Sequence, residues 1–346
     1  MAGIEIRQYC GDCDDLVELK HRVWIPQYRG RMWFSLPDAP TLRSWAQGGG
    51  CLAAYQGTKI VGSIFSIPCS LRIGSAVRTV PIITGFTVDP DHRRAAVPLV
   101  ERIRRLHAER EIAFGIGGFG GSRSSASYSF WTRYSRAFPQ KYHFLFQTGH
   151  WFKILAPGGM ARASITAWER LASNTLGHLL SLTPQRHDPH VRQGRVTDLQ
   201  RCAQMLESSS ADFDWAMVCS AEQLAREMDD PAFGTLVFER EGHVQGVVRY
   251  RRFVTYGRHP VPAAVIDLWA DDGLTTAQRI RLLGHLCNHL RELDVTVVVA
   301  LRSAMMPAAA FVANLFMPTS ELHVAALLTK SELAPAPPRT WSLALT

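Results

Sequence analysis

Four short landmarks recur along this chain at an almost constant separation, and this repeat restricts its possible folds more than any other feature. The pairs are Gly62 with Gly246, Asp89 with Asp271, Ile112 with Val295, and Phe130 with Phe311, at separations of 184, 182, 183 and 181 residues. A constant period over several elements indicates the duplication of a structural unit. The chain of 346 residues is also long for one domain and suits two units of about 170 residues.

Each half shows the same predicted order of strands and helices. Alternating or short apolar runs predict strands, and apolar residues three and four positions apart predict helices. Corresponding elements are Lys59–Pro68, Thr79–Val88 and Val97–Arg110 in the first half, and Val244–Phe253, Ala263–Trp269 and Thr276–Leu293 in the second. The order predicts an α/β protein, with a mixed sheet in each of two tandem domains. We place the domains at 1–157 and 191–333, with a helical linker at 158–190 and a Pro-rich tail at 334–346.

Composition excludes several classes of protein. No apolar run approaches the roughly 20 residues that span a bilayer, and the first residues lack the basic and apolar regions of a signal peptide. Seven scattered cysteines do not form a disulfide framework. His285 and His289 are four apart on a predicted helix, but no third ligand accompanies them, so we predict no metal site. We expect a cytoplasmic protein without a membrane partner.

Charge is unevenly distributed along the chain. The stretch 112–168 contains no Asp or Glu, although it holds six basic residues: Arg123, Arg133, Arg136, Lys141, Lys153 and Arg162. Such asymmetry favours an acidic partner or a ligand that carries phosphate. An ordinary basic surface is the alternative, and the sequence leaves both open.

The stretch from Gly85 to Val100 predicts a phosphate-binding site. A strand ends at Val88, a turn follows, and a helix begins near Val97. The first amides of a helix point outward and its dipole attracts anions, so a strand that runs into a helix can bind phosphate. Arg93 and Arg94 add positive charge beside the turn.

This stretch resembles motif A of the Gcn5-related N-acetyltransferases, in which a strand ending in Val-x-Pro precedes Arg/Gln-x-x-Gly-x-Gly/Ala and an amphipathic helix. In that family the loop holds the pyrophosphate of acetyl-CoA. Here Arg93 stands at the Arg/Gln position, Ala96 at the first Gly and Pro98 at the last small residue. The resemblance implies two tandem domains of this kind and an acyl-CoA site in the first. The residues that it assigns to the donor are Phe86, Thr87, Val88, Arg93, Arg94, Ala95, Ala96, Val97, Pro98 and Leu99.

A second motif of the family, Asn-x-x-Ala-x-x-Phe-Tyr-x-x-x-Gly, is similar to the stretch from Ser124 to Ser135. In the family its Tyr protonates the leaving thiolate. Trp131 stands at that position here and cannot supply a proton. Tyr128 and Tyr134 lie three residues to either side, so either can face the same way on a helix. We take Tyr134 as the first candidate for the acid and Tyr128 as the second.

The general base is harder to place. The strand Thr79–Val88 carries no Glu, although the family often keeps its base there. Asp267 lies on the equivalent strand of the second half and is our candidate, either as a structural residue or as a group facing a cleft between the domains. His92 is a further candidate, and a base is unnecessary where water removes the proton.

The run Gly115-Ile-Gly117-Gly118-Phe-Gly120 matches the Gly-x-Gly-x-x-Gly pattern of dinucleotide sites. Such a site needs an acidic residue about 20 positions further on to bind the ribose, and the acid-free stretch has none. We expect these glycines to let the strand diverge from its neighbour, so that a pantetheine arm passes close to the backbone.

The resemblance implies an N-acyltransferase that moves an acyl group from a pantetheine thioester to the amine of a small molecule, as in natural-product biosynthesis. Acyl-CoA is the default donor, and a phosphopantetheine arm on an acidic acyl carrier protein is the other. In the second half, Asp271 and Asp272 would repel a phosphate, so we expect that half to shape the acceptor pocket. An aminoacyl-tRNA-dependent transferase and a non-catalytic acyl-CoA-binding protein remain as alternatives.

Overall fold

The computed structural model of the protein describes residues 3–47, 50–120, 125–183, 188–330 and 334–343. Ser124, the first residue of the second motif, lies outside these ranges. The first half contains β1 (Ile4–Gln8), α1 (Asp14–Tyr28), β2 (Phe34–Ser35), α2 (Ala39–Gln47), β3 (Cys51–Gln56), β4 (Lys59–Ile67), β5 (Ser70–Ile73), β6 (Ala76–Thr79), β7 (Ile82–Val88), α3 (Ala96–Glu109), β8 (Phe114–Gly120), α4 (Ala126–Ala137) and β9 (Tyr142–Ile154).

Three short helices connect the halves, namely α5 (Pro157–Ala163), α6 (Ala167–Thr175) and α7 (Gly177–Leu180). The second half contains β10 (Val191–Gln193), α8 (Leu199–Ser209), β11 (Trp215–Met217), α9 (Ala221–Met228), β12 (Phe233–Arg240), β13 (His243–Tyr256), β14 (Pro260–Asp271), α10 (Thr276–Glu292), β15 (Val297–Leu301), α11 (Ala308–Ala313) and β16 (Met317–Leu328). The strand β17 (Trp341–Ser342) follows, and two 3-10 turns occupy Pro90–Ala95 and Val196–Asp198.

The two halves repeat the same order of elements and share one mixed sheet. The path of the sheet is β1-β3-β4-β7-β8-β16-β9-β15-β14-β13-β12-β10, with β2 attached to β13. The strands β4, β7 and β8 of the first half correspond to β13, β14 and β15 of the second, and α3 corresponds to α10. The predicted α/β fold in two tandem halves is therefore confirmed, although the two sheets are joined into one.

The halves are joined because each contributes its last strand to the other. Strand β16 pairs antiparallel with β8, so that Leu328 lies opposite Phe114. Strand β9 pairs antiparallel with β15, so that Ile154 lies opposite Val297. The exchanged strands β9 and β16 also pair with each other. Backbone hydrogen bonds therefore run without interruption from one half to the other.

A second, four-stranded sheet with the order β17-β11-β5-β6 covers the junction of the halves. It brings together β5 of the first half, β11 of the second and the segment that follows the second half. Trp215, Trp341 and Leu343 are buried in this region against side chains of the exchanged strands. The final described residues are therefore part of the core.

Helix α1 directs one row of side chains toward the centre of the first half. Lys20, Trp24 and Tyr28 are four residues apart and therefore lie on one face of the helix. Helix α4 approaches the same region, and its first turn is capped by Ser125, whose hydroxyl accepts a hydrogen bond from the amide of Tyr128. In the described part of the chain, no helix is long and apolar enough to cross a membrane.

Candidate functional site

Strand β7 contains a bulge at the centre of the first half. Thr84 and Thr87 pair with β4, but the register shifts between them. Gly85 and Phe86 therefore lie together opposite a single residue of β4. Gly85 has a φ angle of 61°, and a Cβ atom at this position would lie 2.8 Å from the ring of Phe65. Glycine tolerates both the conformation and the contact, so the sequence specifies this bulge.

A buried lysine on α1 supports the bulge. Lys20 is fully buried, and its Nζ donates hydrogen bonds to the carbonyl oxygen of Gly85 at 2.8 Å and to the hydroxyl of Thr87 at 3.1 Å. The same nitrogen lies 4.9 Å from the ring centroid of Trp24. Burial lowers the pKa of Lys20 to about 7, because the ammonium group loses its hydration. At neutral pH this lysine therefore exists in both protonation states.

Strands β7 and β8 separate beside the bulge. They run parallel but pair at one register position only, Ile82 with Ile116. Gly117 lies against β7 at this point, since a Cβ atom there would be 2.9 Å from the carbonyl oxygen of Ile83. No atom would meet a Cβ at Gly120 within 4 Å, so space opens toward the end of β8.

Three cavities surround the bulge. The inner cavity, of about 230 Å³, lies between the diverging strands and has mostly apolar walls that include Ile83, Phe86, Trp131, Tyr142 and Leu327. The helix cavity, of about 530 Å³, lies between β7 and the helices α1, α3 and α4. The interhalf cavity, of about 430 Å³, lies between the α1–α2 region and strands β9, β13, β14 and β15.

The three cavities meet at β7. Trp24 lines all three of them. Thr84 and Gly85 line both the inner and the interhalf cavities. Tyr28, Phe86 and Ser127 line both the inner and the helix cavities. A molecule that follows the helix cavity would therefore reach the bulge, where the inner cavity and the interhalf cavity both open.

The helix cavity carries positive charge at the start of α3. Arg93 and Arg133 both line it, and no acidic side chain does so in the described part of the chain. Six of the residues that the sequence assigns to the donor are on its wall, namely Phe86, Thr87, Val88, Arg93, Ala96 and Val97. The other four are outside it. Ala95 and Leu99 are buried in the core of the first half, and Arg94 and Pro98 are exposed.

The two tyrosines proposed as proton donors lie on α4. The hydroxyl of Tyr134 donates a hydrogen bond to Glu101 at 2.6 Å. Glu101 also pairs with Lys141 at 3.0 Å. Burial and the carboxylate of Glu101 raise the pKa of Tyr134 well above its usual range. The ring of Tyr128 packs against Phe119 and lines none of the three cavities. Both roles stay predictions, and the geometry ties the Tyr134 proton to a carboxylate.

Asp267 belongs to a buried ion pair in the second half. Its two carboxylate oxygens accept hydrogen bonds from Nε and a terminal nitrogen of Arg249, each at 3.0 Å. The two side chains are 4% and 7% exposed, respectively. Asp267 is not on the wall of the interhalf cavity. Its predicted role as a base therefore has no geometric support, whereas the ion pair explains its presence on the strand.

In the second half, the carboxylate of Asp271 occupies the turn that corresponds to the phosphate loop. Asp271 accepts two hydrogen bonds from Arg279, at 2.9 and 2.7 Å, and one from the indole nitrogen of Trp269 at 3.0 Å. Arg279, on the first turn of α10, therefore has an internal anion as its partner. The location of the donor site in the first half stays a prediction.

Comparison with solved structures places this architecture among known folds. Saccharomyces cerevisiae N-myristoyltransferase with bound myristoyl-CoA superposes with a TM-score of 0.75 and 12% identity, over 97% of this chain and 84% of that one. A GCN5-related N-acetyltransferase from Anabaena variabilis has a TM-score of 0.55 and 11% identity, over 95% and 73% of the two chains. One from Kribbella flavida has a TM-score of 0.54 and 12% identity, over 96% and 73%.

This chain has the GCN5-related N-acetyltransferase fold. The resemblance stated from motif A is therefore correct at the level of the fold, and the superposition with the N-myristoyltransferase structure covers both halves. No family model matches the sequence, and no curated protein sequence matches it either.

Within this acetyltransferase fold, the interhalf cavity contains two chemical groups that the sequence did not single out. His150 lines the same cavity as Thr84 and Gly85, and burial lowers its pKa below the usual value. Its imidazole is therefore neutral and basic at pH 7. Arg251 lines the cavity from β13, and its Nε is buried without a hydrogen-bond partner among the described residues.

Proposed function

We propose that this protein transfers an acyl group from an acyl-CoA thioester to an amine. The observation that carries the proposal is the junction of three cavities at residues 84–86 of β7. The helix cavity suits a phosphate-bearing donor, and the inner cavity suits an apolar chain. The interhalf cavity opens toward the second half, where an acceptor can enter. The fold shared with an enzyme whose structure holds myristoyl-CoA supports this reading.

The donor would lie in the helix cavity with its phosphates near Arg93 and Arg133. Both arginines are exposed at the mouth of this cavity, and guanidinium groups bind phosphate through paired hydrogen bonds. The first turn of α3 adds the positive end of a helix dipole. The pantetheine arm would then run along β7 to the bulge.

The acyl chain would occupy the inner cavity. Its far wall includes the stacked rings of Trp131 and Tyr142, whose centroids are 5.0 Å apart. A cavity of about 150 Å³ accommodates benzene, with six carbon atoms. A volume of about 230 Å³ therefore suits a chain of roughly eight carbon atoms or fewer. We propose a short or medium acyl group, shorter than the myristoyl group in the yeast structure.

In the reaction that we propose, the neutral amine attacks the thioester carbonyl carbon and a C–N bond forms. A backbone amide of the bulge stabilises the developing oxyanion. The C–S bond then breaks, the amine loses a proton and the thiolate gains one, so the products are an amide and free CoA. His150 is our candidate for the group that accepts the amine proton, since it is a neutral base on the wall of the interhalf cavity.

Tyr28 is our candidate for the group that protonates the thiolate. It lines both the inner and the helix cavities, where the sulfur atom would lie. In the part of the chain that the structure describes, its hydroxyl has no hydrogen-bond partner. The hydroxyl of Tyr134, in contrast, donates to Glu101. A proton held by a carboxylate inside the protein is less available to a leaving group, so geometry favours Tyr28 over the residue that the sequence suggested.

A donor bound to an acyl carrier protein is a second form of the same proposal. Pro98 has no amide hydrogen, and the amide of Ala96 donates to the carbonyl oxygen of Arg93. The first turn of α3 therefore offers fewer free amides than a pyrophosphate could use. A phosphopantetheine arm brings a single phosphate, and the exposed arginines near the cavity suit an acidic carrier.

The test is an assay of free thiol release, with acyl-CoA esters of two to fourteen carbon atoms and a panel of amines. We expect thiol release that requires an amine, with amide product detected by mass spectrometry. A loaded carrier protein and an aminoacyl-tRNA, assayed in parallel, separate the two other donor classes. Tight CoA binding without turnover on any thioester would identify a non-catalytic binding protein and end the proposal.

A further inference from the structure

An arginine in the interhalf cavity has no hydrogen-bond or ion-pair partner among the described residues. The Nε atom of Arg251 is buried without a hydrogen-bond acceptor, and no described carboxylate lies close enough to form an ion pair with its guanidinium. The ring of Phe233 lies 5.9 Å from the guanidinium carbon. An arginine keeps its charge even when it is buried. The cavity therefore contains a partly desolvated cation that Asp267, Asp230 and Asp38 attract only from a distance, without an ion pair.

The two neighbouring arginines on β13 both have partners, unlike Arg251. Arg249, two residues earlier on β13, is paired with Asp267 and Glu227. Arg252, one residue later, also lines the cavity, but it is exposed and donates to the carbonyl oxygen of Pro231 at 2.6 Å. A buried charge without a partner is costly, so proteins retain one mainly where a ligand supplies the partner.

The rest of the cavity limits what this ligand can be. The apolar side chains on its wall include Leu36, Phe253, Val265, Val299 and Leu301. The only acidic side chain on the described wall is Asp38, which is exposed and accepts a hydrogen bond from the amide of Thr41. One guanidinium matches the two oxygens of a carboxylate, so a carboxylate suits Arg251 better than a phosphate does.

We propose that Arg251 binds a carboxylate of the acceptor, so that the acceptor is an amine that also carries a carboxylate. This inference rests on the proposed acyl transfer and names its acceptor class. The amine lies at the end of the cavity formed by Thr84 and Gly85, and the carboxylate lies at the end formed by Arg251.

The sheet register indicates how far apart these two groups are. Arg251 pairs with Val265, and Val265 pairs with Val299, so the three residues form one row across the sheet. Adjacent strands are about 4.8 Å apart, which places Arg251 roughly 10 Å from Val299 at the Cα atoms. His150 and the bulge lie beyond Val299. The amine and the carboxylate of the acceptor are therefore separated by several bonds, as in an ω-amino acid rather than an α-amino acid.

The test compares 6-aminohexanoate, 6-aminohexanamide and 6-aminohexyl phosphate as acceptors, with glycine as the short control. We expect a kcat/KM for the acid about 10- to 100-fold above that for the amide, as loss of a charge-assisted hydrogen bond implies. Arg251→Met should raise the KM of the acid until the acid and the amide are equally good acceptors. Arg240→Met removes the same charge from an exposed position on β12 outside the cavity and should keep the preference. A preference for the phosphate would replace the carboxylate assignment with a phosphate site and overturn the inference.

Direct binding separates this inference from the acyl-transfer proposal. Titration calorimetry of the CoA-bound protein with 6-aminohexanoate needs no turnover. Binding that Arg251→Met weakens at least tenfold and Arg240→Met does not would support the site even if no acyl transfer were found. Equal binding of the acid and the amide by the unmodified protein, or equal losses in the two variants, would overturn it. Unchanged CoA affinity and melting temperature of Arg251→Met show that the variant is folded.

Discussion

The ammonium group of Lys20 donates a hydrogen bond to the carbonyl oxygen of Gly85 at 2.8 Å and so connects α1 to the bulge of β7. The same face of α1 carries Trp24, which lines all three cavities, and Tyr28, which lines two. The position of α1 therefore determines both the shape of the bulge and the walls of the spaces around it. A change at this buried lysine should affect stability and the site together.

Replacement of Lys20 by Met should change how stability depends on pH. The pKa of Lys20 is about 7 in the folded protein, below its ordinary value of 10.5. Between these values the unfolded chain binds a proton that the folded chain does not, so folding stability rises with pH. The free energy of unfolding of the unmodified protein, relative to Lys20→Met, should rise by up to about 1.4 kcal/mol per pH unit above pH 7. Below pH 7 both states hold the proton, and the difference should be constant.

Urea denaturation of both proteins at several pH values between about 6 and 9.5 measures this difference, since contributions from other groups cancel. Lys153 is a useful control outside the site, because burial lowers its pKa to about 8. Its ammonium group donates to the carbonyl oxygens of Leu180 and Leu182 in the linker and of Asn314 in the second half. A difference that does not vary with pH would show that Lys20 keeps its proton throughout.

Replacement of two adjacent arginines should have different effects on the affinity for the donor. Arg93 lines the helix cavity and Arg94 does not, although both are exposed. Loss of a charge-assisted contact to phosphate costs roughly 1.5–3 kcal/mol, so Arg93→Ala should raise the dissociation constant of CoA about 10- to 100-fold. Arg94→Ala should raise it by less than about threefold, as expected for screened surface charge. Calorimetric titration with CoA decides between this reading and the sequence prediction, in which both arginines bind the donor.

Local patterns predicted much of the fold. The strand predicted at Lys59–Pro68 ends one residue earlier, at Ile67, and the helix predicted from Val97 begins one residue earlier, at Ala96. These elements have clear apolar spacing and clear boundaries, so short-range information suffices. Strand β16 was not predicted, although it lies between β8 and β9 in the sheet. Its place follows from pairing with residues that lie between 165 positions (Met317 with Phe152) and 214 positions (Leu328 with Phe114) earlier in the chain, which no local pattern specifies.

The site residues also divide into those that a local motif predicts and those that only the folded chain brings together. Arg93 was predicted because a motif of adjacent residues surrounds it. Lys20, His150 and Arg251 were not predicted, because they come from three different elements that only the folded chain brings together. One clue for Lys20 was present, since a lysine four residues before Trp24 falls on the buried face of an amphipathic helix.

The exchanged strand β16 should help to determine which acyl chains fit. Leu327 lines the inner cavity, whereas the next residue, Leu328, packs in a separate cluster on the other side of the sheet. Leu327→Ala should enlarge the cavity and shift the preferred acyl-CoA toward longer chains. Leu328→Ala makes the same truncation, and both should cost about 2–5 kcal/mol of stability. Only Leu327→Ala should change the ratio of kcat/KM values between long and short acyl-CoA esters. Equal shifts in both variants would indicate a general loosening of the sheet.

If His150 accepts the proton of the amine, its replacement should lower the rate of acyl transfer and remove the dependence of kcat/KM on pH. Burial lowers the pKa of His150 below 6.5, so the base is fully available at neutral pH, and kcat/KM should fall only as the pH drops below 6.5. A weakly basic hydrazide acceptor stays unprotonated in this range, so its own titration does not obscure the profile. His150→Gln should lower kcat about 10²- to 10⁴-fold and remove the acid limb. His143→Gln, on the same strand but outside the three cavities, should preserve both. A slower enzyme that keeps the acid limb would assign the proton transfer to another group and leave His150 as part of the cavity wall.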